Sequence, residues 1–169
     1  MHADNQIIKL DLGSGYSHLD GYLRLDCDHK CEPDIICDCS QIPLDDNFAG
    51  EIYSAHLLEH YDPKDTFRVL REWYRVLKPG GRLHIIVPDV GRAAIRYANN
   101  EITWSEFKKV VFGSDPTAND FMRHKEVFCK DSLRRMLFIT GYVKIQDNDC
   151  EEDLSMNLDF FAYKPEVKK

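Results

Sequence analysis

The sequence predicts an α/β protein built on a mostly parallel sheet with one antiparallel strand. Three observations carry that expectation. Residues 7–15 (IIKLDLGSG) are a short apolar run that ends in an acidic residue and two glycines. Such a run suits a central strand covered on both faces, followed by a tight turn. Residues 62–77 then show apolar positions at helical spacing between two strand-like runs, and two further strand-like segments close the chain. Strands alternating with helices before a terminal hairpin imply this class of sheet. With 169 residues, 43% of them hydrophobic, the expectation is one domain over residues 1–169.

The elements follow in order. Ile7, Ile8, Leu10 and Leu12 form the first strand, and Asp11 puts a carboxylate at the end where ligands of open α/β sheets bind. Residues 22–26 (YLRLD) read as a second strand ending in Asp26. Because a parallel neighbour needs a crossover, residues 15–21 are assigned a short helix. Residues 34–39 (DIICDC) form a small third strand, reached with almost no room for a helix. Pro43, the Asp-Asp-Asn cluster and Gly50 mark residues 40–50 as loop, and Ile52 and Tyr53 begin a fourth strand.

The next helix has the strongest signals. Asp62 caps it, Pro63 occupies its first position and Asp65 meets the helix dipole. Phe67, Leu70, Trp73 or Tyr74, and Leu77 form its apolar face, while Arg68, Arg71, Glu72 and Arg75 face water. Lys78-Pro79-Gly80-Gly81 stops it, and residues 82–87 (RLHIIV) make a fifth buried strand. One or two helices are expected in residues 91–112, with Ala94, Ile95, Tyr97, Trp104, Phe107, Val110 and Val111 on their apolar faces, then a flexible loop at 113–120. Residues 131–140 form a helix capped by Asp131 and stopped by Gly141, and strands at 142–146 and 154–163 flank an acidic turn.

Charge and composition narrow the function. A net charge of −7 disfavours nucleic acid or an anionic membrane as the main partner. No apolar run approaches the roughly 18 residues of a membrane span, and the first residues, MHADNQ, lack the features of a signal peptide. A cytoplasmic protein with reduced thiols at its six cysteines is the expectation.

The order LDLGSG, Asp26, Asp38, IPLDDNFAGEIYSAHLLEH and REWYRVLKPGGRLHIIVPD resembles the class I S-adenosylmethionine-dependent methyltransferases over residues 7–89. The likeness is to the compact group with an HVLEH and RVLKPGG pattern. It implies a Rossmann-like fold, S-adenosylmethionine as cofactor and methyl transfer to a small acceptor, a sugar or polysaccharide hydroxyl by analogy. It further implies that Asp11, Gly13 and Gly15 border the methionine part of the cofactor, that Asp26 takes the ribose hydroxyls, and that Asp38 takes the adenine amino group beside the Cys39 amide. Ala55 and His56 then border the methionine end and the acceptor. His56 is the first candidate for a base and His124 the second.

Departures from the pattern also matter. Ser17 replaces a third glycine, and the segment between Asp26 and Asp38 is short. The chain starts almost at the first strand, which implies a reduced N-terminal cap. The lid then comes from residues 91–128, from a homodimer partner or partner domain, or from residues outside this sequence.

Other motifs in the chain point elsewhere, with weaker support. His56-Leu57-Leu58-Glu59-His60 is an HxxEH string, but zinc hydrolysis needs both histidines on one continuous helix, and here the string straddles a strand end and a loop. Glu59 and His60 are expected to anchor the loop. The spacing of Cys27, Cys31, Cys37 and Cys39 is not that of a zinc ribbon or finger, so no metal is expected. A dinucleotide-binding enzyme is disfavoured by His18, where its fingerprint wants glycine. A catalytically degenerate binding or interaction module of the same fold is the alternative.

Overall fold

The computed structural model describes residues 7–114, 122–148 and 156–167. Its strands are β1 (Lys9–Leu12), β2 (Leu23–Asp26), β3 (Ile35–Ile36), β4 (Ala49–Ala55), β5 (Leu77–Pro88), β6 (Val143–Asp147) and β7 (Asn157–Tyr163). They form one sheet in the order β3-β2-β1-β4-β5-β7-β6. β7 alone runs against its neighbours, β5 and β6, so the sheet is mostly parallel with one antiparallel strand, as expected. The order reverses between β1 and β4, and such a switch opens a crevice at the carboxyl ends of the strands.

The helices are α1 (Pro63–Val76), α2 (Val90–Ala98), α3 (Trp104–Phe112) and α4 (Lys130–Thr140). Leu10, Leu12, Leu25, Ile52, Leu83, Ile85 and Phe160 from the sheet are buried together with Val69, Leu70 and Trp73 of α1 and Leu133 and Leu137 of α4. Trp73 is also tied by its indole N–H to the Cys39 carbonyl at 2.9 Å. Its removal would combine a large cavity with a lost hydrogen bond, at a cost of about 3–5 kcal/mol. A smaller cluster of Ala93, Ile102 and Val110 holds α2 and α3 together. Among the described residues, no helix is long and apolar enough to cross a membrane.

Several local expectations are corrected. Residues 15–21 form turns and irregular backbone instead of a helix. A strand of four residues is only about 13 Å long, and the ten residues between β1 and β2 can span about 33 Å, so a plain loop makes the return. Gly50 lies inside β4, at an irregularity in its pairing with β5, instead of ending a loop. The Lys78-Pro79-Gly80-Gly81 segment belongs to β5: α1 ends at Val76, Leu77 already pairs with Ala49, and Gly80 and Gly81 exchange backbone hydrogen bonds with Lys164. Gly80 has φ +78°, so glycine still serves the turn of the backbone there.

Arg75, expected on a wet face, donates to the carbonyls of Ile42 and Leu44 and to Glu72 and Asp46, pinning the loop before β4. Ile95, Tyr97 and Trp104 are exposed, because α2 and α3 pack through Ala93 and Val110 instead. Cys129 precedes α4 as its cap in place of Asp131, and Gly141 ends that helix at φ +111°. Most of the expected 113–120 loop and of the acidic turn lies outside the described residues. Cys27, Cys31, Cys37, Cys39 and Cys129 are free thiols.

Candidate active site

The crevice has two halves, one on each side of the β1–β4 switch. The first is built by β1, β2 and β3. Gly13, at φ +67°, donates to the Leu25 carbonyl at 2.8 Å, and a Cβ added there would meet Leu57 Cδ1 at 2.8 Å. Gly15, at φ +51°, donates to Asp26 Oδ2 at 2.8 Å, and a Cβ added there would meet no atom within 4 Å. The two glycines therefore do different work: Gly13 lets Leu57 close against the turn, while Gly15 leaves its outer side open. Asp26, at the end of β2, also accepts the Asp28 N–H at 2.8 Å through Oδ1.

Asp38 follows β3 and accepts from the Ser40 N–H at 2.8 Å and the Tyr61 hydroxyl at 2.9 Å. Burial works against its charge, but these donors, with Arg68 nearby, hold its carboxyl below the usual range. Cys39 is buried, with its carbonyl taken by Trp73 and its thiol in the core. Only its backbone amide suits the role that the resemblance implies. Asp11 is 2% exposed, and its Oδ2 has no hydrogen-bond partner. Burial pushes its carboxyl up from 3.8 to about 6, with Arg24 pulling it down and Asp26 adding to the rise.

Reading the sequence missed the group that shapes this half. Arg24 is buried in β2 and donates to the carbonyls of Gly15, Cys31 and Glu32, so one guanidinium ties the glycine turn to the 3-10 turn at His29–Cys31. Its signal was an arginine at an inward position of the short strand YLRLD.

The second half lies beyond β4 and β5. Ala55 ends β4, and His56 follows at φ +54°, a conformation uncommon for a residue with a side chain, with its N–H held by the Ile86 carbonyl at 2.9 Å. His56 Nδ1 lies 3.4 Å from Glu59 Oε1, and this carboxylate holds the imidazole above its usual range despite partial burial. His124 Nε2 lies 4.0 Å from the same oxygen, and burial lowers its basicity. Hence the two histidines predicted to act at the acceptor face one buried glutamate. With Val110, Pro88, Met156 and Asn157 they line a cleft of about 530 Å³, to which α3 contributes one wall.

Glu59 and His60 lie on the 3-10 turn at Leu58–His60, which interrupts any helix that could carry HxxEH on one face. Their anchoring role is visible in the backbone, where the Glu59 carbonyl accepts the N–H groups of Lys125 and Glu126 at 2.8 and 3.1 Å.

A sheet of this order, antiparallel only at β7, with carboxylates after β2 and β3 and a cleft beyond β4, defines the class I methyltransferase fold. Residues 19–85 match the family model described as a methyltransferase domain. A search of curated proteins returns no match. Among solved structures, a S-adenosylmethionine-dependent methyltransferase from Methanosarcina mazei is 17% identical, with a TM-score of 0.68 over 96% of this chain and 94% of that one. One from Archaeoglobus fulgidus is 16% identical, with a TM-score of 0.64 over 95% and 87% of the two chains. The 1,6-didemethyltoxoflavin-N1-methyltransferase of Burkholderia thailandensis, solved with 1,6-didemethyltoxoflavin and S-adenosylhomocysteine, is 17% identical, with a TM-score of 0.62 over 95% and 72%. The match over residues 19–85 and these structures place the chain in the class I methyltransferase fold.

The residues present fit S-adenosylmethionine as a cofactor. The open side of Gly15 leaves room where a side chain would stand, Asp26 and Asp38 supply acceptors for hydroxyl and amino groups, and the unpartnered Asp11 oxygen suits a ligand that brings donors or positive charge.

Proposed function

We propose that this protein methylates a hydroxyl of a small acceptor, a sugar or glycan, in the cleft beyond β4. The observation that carries this reading is the pairing of the two halves: a glycine and carboxylate row at β1–β3 beside a cleft where His56 and His124 flank Glu59. S-adenosylmethionine, bound along Gly15, Asp26 and Asp38, supplies a methyl group already activated by a sulfonium. The chain's own work is then alignment, exclusion of water and proton removal.

His56 accepts the acceptor's proton at its ring nitrogen. Glu59 supports this by stabilising the imidazolium that forms, in the way a buried carboxylate supports a catalytic histidine. His124 stands across the cleft as a second group for positioning or proton transfer. A small acceptor is supported by the size of the cleft and by the net charge of −7, and the Burkholderia relative carries a small molecule of this size class. Helix α3, within residues 91–128, forms part of the cover, and a homodimer partner or partner domain completes it.

Calorimetry with S-adenosylmethionine and S-adenosylhomocysteine, followed by transfer of labelled methyl to a panel of sugars, tests the reading. Binding of both and labelling of a hydroxyl is the expected result. A degenerate module would bind neither, and that outcome overturns the proposal.

A further inference from the structure

Three lone-pair donors converge at the cleft. His60 Nδ1 lies 3.1 Å from the Arg123 carbonyl and His124 Nδ1 lies 3.0 Å from the Val110 carbonyl. A carbonyl can only accept, so each ring carries a proton on Nδ1, and in the neutral imidazole Nε2 is left as a lone pair. The Glu59 carboxylate is 1% exposed; His56 Nδ1 faces its Oε1 at 3.4 Å without hydrogen-bond geometry, and neither oxygen has a well-formed hydrogen bond. One ligand atom from each of Glu59, His60 and His124 lies within 4.8 Å of the others. With His56 on one side of Glu59 only, the His60 and His124 lone pairs still gather with a buried carboxylate, an arrangement that a cation would join.

We propose that Glu59, His60 and His124 form a divalent transition-metal site whose open coordination position faces the cleft and holds an oxygen of the acceptor. Two imidazoles and one carboxylate are a ligand set for zinc or another borderline divalent metal. In a tetrahedral zinc site the ligand atoms stand about 3.4 Å apart, so closure asks for about 1 Å of adjustment. The backbone is already set for it. The Lys125 and Glu126 N–H groups bind the Glu59 carbonyl and clamp the His124 segment to the turn that carries the other two residues. The Nδ1–carbonyl bonds of His60 and His124 are the outer contacts that orient metal-ligating histidines.

Neither the cysteine spacing nor the local HxxEH string points to a metal; here the third ligand arrives from 64 residues further along. His56 stays beside the site as the proton acceptor. The acceptor-holding part rests on the function proposed above, and the metal site itself does not.

The test is titration of chelator-stripped protein with Zn²⁺, Co²⁺, Ni²⁺ and Mn²⁺ by calorimetry, with the visible spectrum of the Co²⁺ form as a second readout. One equivalent should bind, and H60N and H124N should each weaken it at least tenfold while circular dichroism and S-adenosylhomocysteine affinity stay unchanged. Absence of saturable binding by any of the four ions overturns the site, as does unchanged binding by both variants, which would place the metal elsewhere. If the metal binds at these residues but methyl transfer proceeds equally in stripped protein, the acceptor-holding role falls while the methyltransferase reading stands. Failure to bind S-adenosylhomocysteine would count against that reading alone.

Discussion

Asp26→Asn is the sharpest probe of the proposed cofactor half. The carboxylate accepts two backbone N–H groups, from Gly15 through Oδ2 and from Asp28 through Oδ1, each at 2.8 Å. Asparagine keeps the shape but offers one oxygen and one NH2 group, so whichever way it turns, one backbone donor faces another donor. The lost charge-assisted bond is worth about 1.5–3 kcal/mol, and part of it is recovered as the turn relaxes toward water. Stability should therefore fall by about 1–2 kcal/mol, lowering Tm by roughly 2–8 °C for a chain of this size. The ribose hydroxyls lose a charged acceptor as well, and affinity for S-adenosylhomocysteine should drop about 10- to 100-fold, or roughly 1.4–2.8 kcal/mol. Calorimetry at neutral pH gives the affinity, and thermal melts followed by circular dichroism give the stability. A folded D26N protein with wild-type affinity would refute the ribose assignment. Asp26→Ala, which leaves both backbone donors open, should show at least as large a loss.

Two further experiments follow from the same half of the crevice. Gly13→Ala should destabilise the fold by about 2 kcal/mol or more, because its Cβ meets Leu57 at 2.8 Å and the backbone is left-handed; Gly15→Ala has open space and should cost only about 1 kcal/mol. If the cofactor lies along Gly15, the milder G15A variant loses more affinity for S-adenosylhomocysteine than its stability suggests, and equal affinity in G15A and wild type would contradict that placement. For Asp11, whose carboxyl is raised from 3.8 to about 6, the folded state holds a proton that the unfolded state releases. Stability is therefore greatest below about pH 4, falls as pH rises through about 6 and is flat above, by about 1–3 kcal/mol in all. Urea melts across that range should show the fall in wild type and its loss in Asp11→Asn; an equal slope in both would show that another group titrates.

Much of the fold was legible because local rules and global architecture agree. The run KLDLGSG suits a short buried strand and a turn, and Pro63 through Val76 carries a cap residue, a first-turn acid and one apolar stripe. Local signals failed where tertiary contacts outweighed them. Pro79, Gly80 and Gly81 read as a helix stop and proved to be strand, because Leu77 pairs with Ala49 and Lys164 supplies partners to both glycines. Arg75 read as solvated and proved to be the clamp on the loop before β4, since only the folded chain brings the Ile42 and Leu44 carbonyls to it.

By itself, the order of residues determined the elements that depend on neighbours within a few positions: the strand ends, the glycine turn, the helix after Asp62 and the acids that follow β2 and β3. Hydrophobic period, capping and φ preference act at that range. Tertiary structure alone decided that Glu59 and His124, 65 residues apart, meet at one cleft with His56 and His60, and that Arg24 ties the glycine turn to the turn after β2. Those placements depend on which way β4 and its neighbours are wound and on backbone hydrogen bonds between distant segments, which no short stretch of the chain encodes.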